Sequence, residues 1–260
     1  DKVISLIDAS KEMNINIIQP NINSSDFNFL SSDANSISFG LGAIKGVGQN
    51  AVNHIVSERN KNGIYKNLFD FCERISMSIV NIGTLDALIF SGAFDSFNEN
   101  RLSLKNALEK AMSYGQQKQN SRTTGQQELF ENKSESFSSQ SNDSSHVYYT
   151  KDSIENRLKT LYQEKKVIGF YLTGHPIKEY TKEISAMSIN NIDSYFKKLY
   201  SRESTTDYSE FATVSGVITS IRSQRAGADR FINIITIDDS THCLEVIVYP
   251  DTYEKYQSLI

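Results

Sequence analysis

The stretch at residues 38–48, SFGLGAIKGVG, decides the fold that we expect for the first half of the chain. Its last five residues, IKGVG at 44–48, predict a tight hairpin between a short helix and a helix that begins near Gln49. Two glycines let backbone N–H groups face outward at a helix N-terminus, where the partial positive charge suits a phosphate oxygen. We predict that Lys45, Gly46, Val47 and Gly48 bind DNA phosphates without reading sequence. The pattern leaves open a glycine-rich connector that binds nothing.

Helical periodicity surrounds this hairpin from residue 37 to residue 112. One helix places Ala51, Val52, Ile55 and Val56 on its apolar face and ends at residues 62–63, Asn-Gly. A second has Asn81 as its N-cap and stops at residues 91–92, Ser-Gly, and a third covers residues 102–112. Short helices joined by glycine-containing turns predict a compact α-helical unit.

The charge distribution limits how such a unit could bind DNA. The net charge of −4 argues against a protein that coats nucleic acid through bulk positive charge. Residues 37–66 nevertheless carry a local charge of +3, because four cations outnumber Glu58: Lys45, Arg59, Lys61 and Lys66. DNA contact must therefore be local.

Residues 113–145 differ in kind from what precedes them. Of these 33 residues, 18 are Ser, Gln or Asn, so the segment buries too little apolar surface to offset its ordering entropy. We predict a flexible linker. Within it, QQELF at 126–130 could insert Leu129 and Phe130 into a partner's pocket while Gln126 hydrogen-bonds at the rim. The alternative is that Leu129 and Phe130 pack back on this protein.

After a predicted helix at residues 154–170, the apolar period changes to two. Residues 211–221, 231–238 and 243–249 predict three strands of a five-stranded barrel. Arg222, Arg225 and Arg230, in and beside the first loop, are candidate contacts for single-stranded DNA, with Phe231 and Tyr249 as stacking surfaces. The alternative is that the arginines form a solvated loop and both aromatic residues belong to the core.

Several functional classes lack their sequence signals. Scattered histidines and two isolated cysteines, Cys72 and Cys243, form no metal-binding pattern, and we expect both thiols to be buried and reduced. The apolar runs are too short for a membrane span, so we expect a cytoplasmic protein that does not engage membranes. Neither a nucleophile elbow nor a phosphate-binding loop occurs, and Asp238-Asp239 fits a turn better than a metal site. We therefore expect no catalytic residues and no cofactor in this chain.

Five pieces in fixed order resemble the alpha subunit of bacterial DNA polymerase III: residues 38–48, 65–74 (YKNLFDFCER), 87–96 (ALIFSGAFDS), 169–176 (GFYLTGHP) and 237–249 (IDDSTHCLEVIVY). The resemblance covers essentially the whole chain. It implies a multidomain α+β architecture with the end of the fingers domain at 1–36, a tandem helix-hairpin-helix unit at 37–112 and a linker at 113–150. A helical connector at 151–206 and the first half of an OB-fold at 207–260 would follow.

The resemblance also implies roles. Residues 42–48 would grip duplex DNA, and the second hairpin, expected near residues 91–93, would be structural because it lacks the two glycines. Gln126, Leu129 and Phe130 match the family's internal peptide for the sliding clamp (beta subunit). The catalytic aspartates, which use Mg²⁺, would precede Asp1, and the proofreading exonuclease and clamp-loader tau subunit would bind elsewhere. Both chain ends are thus expected to be internal to a longer polymerase.

Two other functions compete with replicative DNA synthesis. A non-catalytic repair or scaffold protein could combine a helix-hairpin-helix unit with an OB-fold, and clustered aspartates upstream would distinguish the polymerase from it. An error-prone relative of the alpha subunit is the other alternative. A clamp peptide at residues 126–130 argues against that relative, which we expect to lack the peptide at this position.

Overall fold

A computed structural model describes residues 6–7, 9–10, 13–124, 150–187, 190–200, 212–225 and 231–259. The chain divides into two compact units, Asp1–Thr173 and Gly174–Ile260. The division falls inside the predicted connector at 151–206, so the helix at its start belongs to the first unit. The expected mixture of a helical unit with small sheets is confirmed.

The first unit opens with a small three-stranded sheet. Its strands are β1 (Asn16–Ile18), β2 (Leu30–Asp33) and β3 (Ser36–Ser38), in the spatial order β1-β3-β2. β3 pairs parallel with β1 and antiparallel with β2.

Helices make up the rest of this unit. They are α1 (Gln49–Asn62), α2 (Leu68–Arg74), α3 (Ile82–Phe90), α4 (Arg101–Thr124) and α5 (Ile154–Ile168), with short 3₁₀ turns at Leu41–Ala43 and Asp95–Phe97. Two predicted ends are confirmed: Gly63, at φ +83°, follows α1, and the side chain of Asn81 caps α3. α2 was not predicted.

The predicted start of the linker at residue 113 is wrong, because α4 continues to Thr124. Gly115 lies so close to α2 that a Cβ atom there would overlap the carbonyl of Cys72. Four residues further along, the side-chain Nε2 of Gln119 donates to the carbonyl oxygens of Glu73 (3.0 Å) and Ile75 (2.8 Å), at the end of α2. Contacts with α2 therefore stabilise a polar segment whose composition alone predicts a linker.

One apolar core joins the helices to the residues that precede them. Its largest fully buried side chains include Phe39, Tyr65, Phe71 and Phe94, and burying such a side chain contributes roughly 1.5–3 kcal/mol. The rings of Phe71 and Phe94 meet edge to face, with centroids 5.0 Å apart. The same core includes Ile44 and Val47 and therefore anchors the predicted hairpin.

The second unit contains an open antiparallel sheet of β4 (Val217–Arg225), β5 (Phe231–Asp238) and β6 (Cys243–Val248) in that order. Its helices are α6 (Thr181–Ala186), α7 (Ile192–Tyr200) and α8 (Pro250–Tyr256), with 3₁₀ turns at Pro176–Tyr180 and Gln257–Leu259. The three predicted strands are present, but the first runs from Val217 to Arg225, not from 211 to 221. Its pairing with β5 extends as far as Arg225, opposite Phe231.

Adjacent carboxylates at the end of β5 hold the helical segment of this unit. His175 accepts the N–H of Ile177 through Nδ1 (3.3 Å), and its Nε2 lies 3.4 Å from Oδ1 of Asp238. The carboxylate of Asp239 accepts the N–H of Ile192, at the start of α7 (2.6 Å). Burial alone would raise the pKa of Asp239, but hydrogen bonds, led by the one from Ile192, lower the pKa below its ordinary 3.8. The GHP sequence and the Asp-Asp pair are therefore structural here.

The two cysteines lie in different surroundings. Cys72 is fully buried, and burial raises the pKa of its thiol to about 12. Cys243 is exposed at the start of β6, so the expectation that both thiols are buried is wrong for Cys243. Alternate residues of β6 face outward, which places this thiol on the solvent side.

Candidate nucleic-acid interface

The predicted hairpin at residues 44–48, called here the first hairpin, is present between the 3₁₀ turn and α1. Ile44 and Val47 are buried in the core, whereas Lys45, Gly46 and Gly48 are exposed. Gly46 has φ +88°, a left-handed conformation that glycine adopts without the strain other residues incur. Two buried apolar side chains therefore anchor a turn whose remaining residues face solvent.

The hairpin presents unsatisfied amides at the start of α1. Gly48 is the N-cap and provides no side-chain hydrogen bond. Within the part of the chain that the structure describes, the N–H groups of Gly48, Gln49 and Asn50 have no acceptor. Together with the positive end of the helix dipole, these amides form a surface suited to an anion.

Not every predicted amide in the hairpin is available. The N–H of Val47 donates to the carbonyl of Ile44 (3.1 Å), and the N–H of Lys45 donates to the carbonyl of Val167 at the end of α5 (2.8 Å). Gly46 and Gly48 thus offer backbone donors, Lys45 offers an exposed side chain, and Val47 serves the core. Val167 lies 122 positions from Lys45, and no local sequence signal could have revealed this contact.

The local charge of +3 is not concentrated at the hairpin. Nη1 of Arg59 donates to the carbonyl oxygens of Ile22 and Ser25, both at 2.9 Å, so this guanidinium stabilises the fold. Arg59 and Lys61 also lie in the last turn of α1, at the end opposite Gly48. Lys45 is the predicted cation that stands beside the open amides.

α2 and α3 form a second helix–turn–helix, and its turn, residues 75–80, is called here the second turn. The sequence placed the second hairpin near residues 91–93, where the structure has a turn after α3, and its identity as a hairpin of the motif stays a prediction. Residues 91–93 are buried at the end of α3, as a structural role requires. In the second turn, Ser76 accepts the N–H groups of Ile79 and Val80 (3.1 and 3.0 Å), and its own N–H donates to Nε2 of His54 (3.1 Å).

The described residues that were predicted to contact single-stranded DNA lie on or beside the sheet of the second unit. Arg222 is within β4, where Nη2 contacts both carboxylate oxygens of Glu245 (2.8 and 2.9 Å). Arg225 ends the strand, and Phe231 and Tyr249 are 56% and 67% exposed among the described residues, so neither is buried by this open sheet. Arg230 lies outside the described residues. The clamp-peptide residues, Gln126, Leu129 and Phe130, also lie outside them.

The chain is similar to one motif family and to several known proteins. Residues 14–104 match the helix-hairpin-helix motif family. The whole chain is 35% identical to the DNA polymerase III alpha subunit of Buchnera aphidicola subsp. Schizaphis graminum, covering 22% of that protein. It is 32% identical over its whole length to the alpha subunit of Escherichia coli K12, covering 21% of it, and 98% of the chain is 30% identical to that of Vibrio cholerae.

The chain therefore spans about a fifth of the length of these relatives. Among the described residues, no helix has the length and apolar character that crossing a membrane requires. The resemblance inferred from five sequence pieces is confirmed: residues 14–104 match the helix-hairpin-helix motif family, and the chain is similar along its full length to one region of the alpha subunit of bacterial DNA polymerase III.

Proposed function

We propose that the chain is a region of a DNA-directed DNA polymerase in which the first hairpin grips the phosphates of duplex DNA. Template-directed synthesis, with its Mg²⁺ and catalytic aspartates, would belong to the longer protein of which this region forms part. The observation that carries the proposal is the open N-terminus of α1 at Gly48.

Nothing among the described residues requires glycine at residue 48. Its backbone, at φ −84° and ψ 157°, is accessible to any residue, and a Cβ atom added there would meet no atom within 4 Å. Asn, Asp or Ser would cap the helix better than glycine does. A glycine in this place leaves the amides accessible, which is what the close approach of a phosphate needs.

Binding of this kind has two expected properties. Amides and one lysine side chain contact phosphates and not base edges, so affinity should be independent of DNA sequence. Few phosphates are neutralised, so the slope of log affinity against log salt should be shallow, roughly −2 to −4. A slope that implies some ten phosphate contacts would contradict the proposal.

The test compares glycine variants that differ in location. Gly48→Val fills the open space without straining the backbone, and we expect about tenfold weaker duplex binding at low salt, since hydrogen bonds to a charged group are lost. Gly46→Ala should also weaken binding. Gly63→Ala is the matched control for Gly46→Ala, because Gly63 has a similar φ of +83° at the far end of α1. Equal affinities of Gly48→Val and the unaltered chain, with helicity preserved, would refute the grip.

We also propose that the sheet of the second unit is the first part of an OB-fold that contacts single-stranded DNA. Support comes from exposed Phe231, which lies opposite Arg225 of β4 on one face of the sheet, and from Arg222, which lies opposite Ile234 on the other face. Tyr249, directly after β6, is also exposed. Base stacking on an aromatic side chain contributes about 1–3 kcal/mol, so Phe231→Ala with Tyr249→Ala should weaken oligonucleotide binding at least fivefold. Arg222→Gln should have less effect because Glu245 already contacts that guanidinium. Unchanged affinity in the aromatic double variant would reject this sheet as a binding site for single-stranded DNA.

Clamp tethering is proposed from the sequence of residues 126–130. Leu129→Ala with Phe130→Ala should abolish binding of the chain to its cognate sliding clamp, because no other adjacent pair of strong apolar side chains is present in that tract. Gln126→Ala should cost less, about 1 kcal/mol. Calorimetric titration against the clamp measures both, and equal affinity of the double variant and the native chain would reject the site.

A further inference from the structure

The first hairpin is held from two sides by helices that are distant in sequence. On one side, Oγ1 of Thr84 in α3 donates to the carbonyl of Gly46 (3.2 Å). On the other side, the N–H of Lys45 donates to the carbonyl of Val167 in α5 (2.8 Å). The orientation of the open amides therefore depends on where α3 and α5 stand relative to each other.

Glu164 lies one turn before Val167 in α5, and its side chain is completely buried. Oε1 accepts the N–H groups of Leu172 (2.6 Å) and Thr173 (2.9 Å). Oε2 accepts the hydroxyl of Thr173 (2.7 Å) and Nη1 of Arg101 (2.7 Å). A buried carboxylate is tolerated only with such partners, so its four hydrogen bonds hold α5 in one place.

Arg101 connects this carboxylate to α3. The guanidinium is only 7% exposed, and the same Nη1 atom donates to the carbonyl of Phe90, the last residue of α3 (3.1 Å). Nε and Nη2 contact the two carboxylate oxygens of Asp95 (2.8 and 2.6 Å). Asp95, Arg101 and Glu164 form an ion cluster, buried at Arg101 and Glu164 and partly exposed at Asp95, that joins the end of α3 to α5.

We propose that Glu164 is a positioning residue for DNA binding: through Arg101 it fixes α5 against α3 and so holds the first hairpin in its phosphate-binding geometry. The proposal rests on the function proposed above for that hairpin. It assigns to α5 a part in the duplex grip, although this helix follows the first hairpin by more than 100 residues.

The experiment compares Glu164→Gln with Glu58→Gln in the 260-residue chain. Both variants remove one negative charge, so both change the long-range attraction to DNA by the same amount. Glu58 also accepts hydrogen bonds, from Arg74 (3.1 Å) and Asn62 (2.7 Å), but it lies near the end of α1 remote from the hairpin. The readouts are the hydrogen-exchange rate of the Lys45 amide and the affinity for a duplex oligonucleotide, measured where circular dichroism shows both variants folded.

We expect Glu164→Gln to speed exchange of the Lys45 amide by about tenfold and to weaken duplex binding by about threefold to tenfold, with Glu58→Gln within about twofold of the unaltered chain. Combined with Gly48→Val, Glu164→Gln should add little further loss of affinity, because both changes act through one hairpin. A merely structural role would leave the two effects additive.

The outcomes separate this proposal from the one on which it rests. If Gly48→Val weakens duplex binding while Glu164→Gln behaves like Glu58→Gln, the positioning role is overturned and the grip stands. If Gly48→Val has no effect, the grip itself fails. Should Glu164→Gln unfold, Thr173→Val removes one hydroxyl donor to Oε2 and should still speed Lys45 exchange by about threefold. Unchanged exchange in folded Thr173→Val would overturn the positioning role.

Discussion

The first hairpin and the second turn have the same topology, but the helix that follows the first has no side-chain cap and the helix that follows the second has one. Each joins two helical segments, and each leads into a helix of the same unit. Directly after the second turn, Oδ1 of Asn81 accepts the N–H of Thr84 (3.0 Å), so the protein caps its own helix. At the first hairpin, Gly48 occupies the equivalent position and leaves the amides of α1 open.

This difference shows that helix–turn–helix topology does not by itself make a phosphate site. The second turn is already occupied by the protein: Asn81 caps α3, and His54 accepts the N–H of Ser76. The first hairpin instead leaves an exposed helix end with a lysine beside it. We infer that duplex binding by this unit is concentrated at the first hairpin, and four variants test that inference, in order of their expected effect on duplex affinity.

The largest effect is expected from Gly48→Asp. The carboxylate would cap α1 and favour the helix dipole, so the free energy of unfolding should rise by a few tenths of a kcal/mol or more. The same carboxylate would occupy the open amides and repel phosphate, so duplex affinity should fall by about a hundredfold. Ser57→Asp adds the same charge at an exposed position of the same helix and should lose far less. Similar losses in both variants would show that net charge alone governs binding.

A neutral copy of the second turn should have an intermediate effect. Gly48→Asn places the Asn81 type of cap on α1, and its side-chain oxygen competes with phosphate for the same amides. We expect about threefold to fivefold weaker duplex binding together with a slightly higher melting temperature. Gly48→Ala provides the comparison, since it adds a Cβ atom without an acceptor. Tighter binding by Gly48→Asn would contradict a phosphate site at these amides.

The features predicted from sequence are those with a local signal. The two glycines of the first hairpin, the cap at Asn81 and the period-two strands each depend on a few neighbouring residues, and the structure contains all three. The end of α4 was missed because Gln119 and Gly115 are stabilised by contacts with α2, which composition does not record.

The sequence predicted the exposed residues of the candidate site but not the contacts that hold them in place. Gly46 and Gly48 face solvent as expected, but the amide of Lys45 is engaged by Val167 and the guanidinium of Arg59 by Ile22 and Ser25. A cation in the sequence can serve DNA or its own fold equally well, and only distances distinguish the two. The second turn itself was not predicted, because residues 75–80 contain no glycine.

A smaller effect is expected from Thr84→Val, which tests the link between the two turns. Thr84 donates its N–H to Oδ1 of Asn81 and its hydroxyl to the carbonyl of Gly46. Valine keeps the shape and removes the second bond, so the free energy of unfolding should fall by about 1 kcal/mol and duplex affinity by about twofold. Thr160→Val is the control, because that hydroxyl donates to the carbonyl of Asn156 in its own helix and not to the first hairpin. Equal effects of the two variants on DNA binding would disprove the link.

The smallest effect on DNA is expected from Asn81→Ala, although this variant should clearly destabilise the protein. Alanine removes the cap of α3, which costs about 1 kcal/mol and should lower the melting temperature. Duplex affinity, measured well below that temperature, should remain within about twofold, because the amides that Asn81 satisfies face no DNA in our proposal. Asn67→Ala removes the corresponding cap of α2, where Oδ1 accepts the N–H of Asp70 (2.9 Å), and should lose similar stability with no more effect on DNA. If Asn81→Ala alone weakened duplex binding severalfold, the second turn would be a DNA contact in its own right, and the distinction between the two turns would be lost.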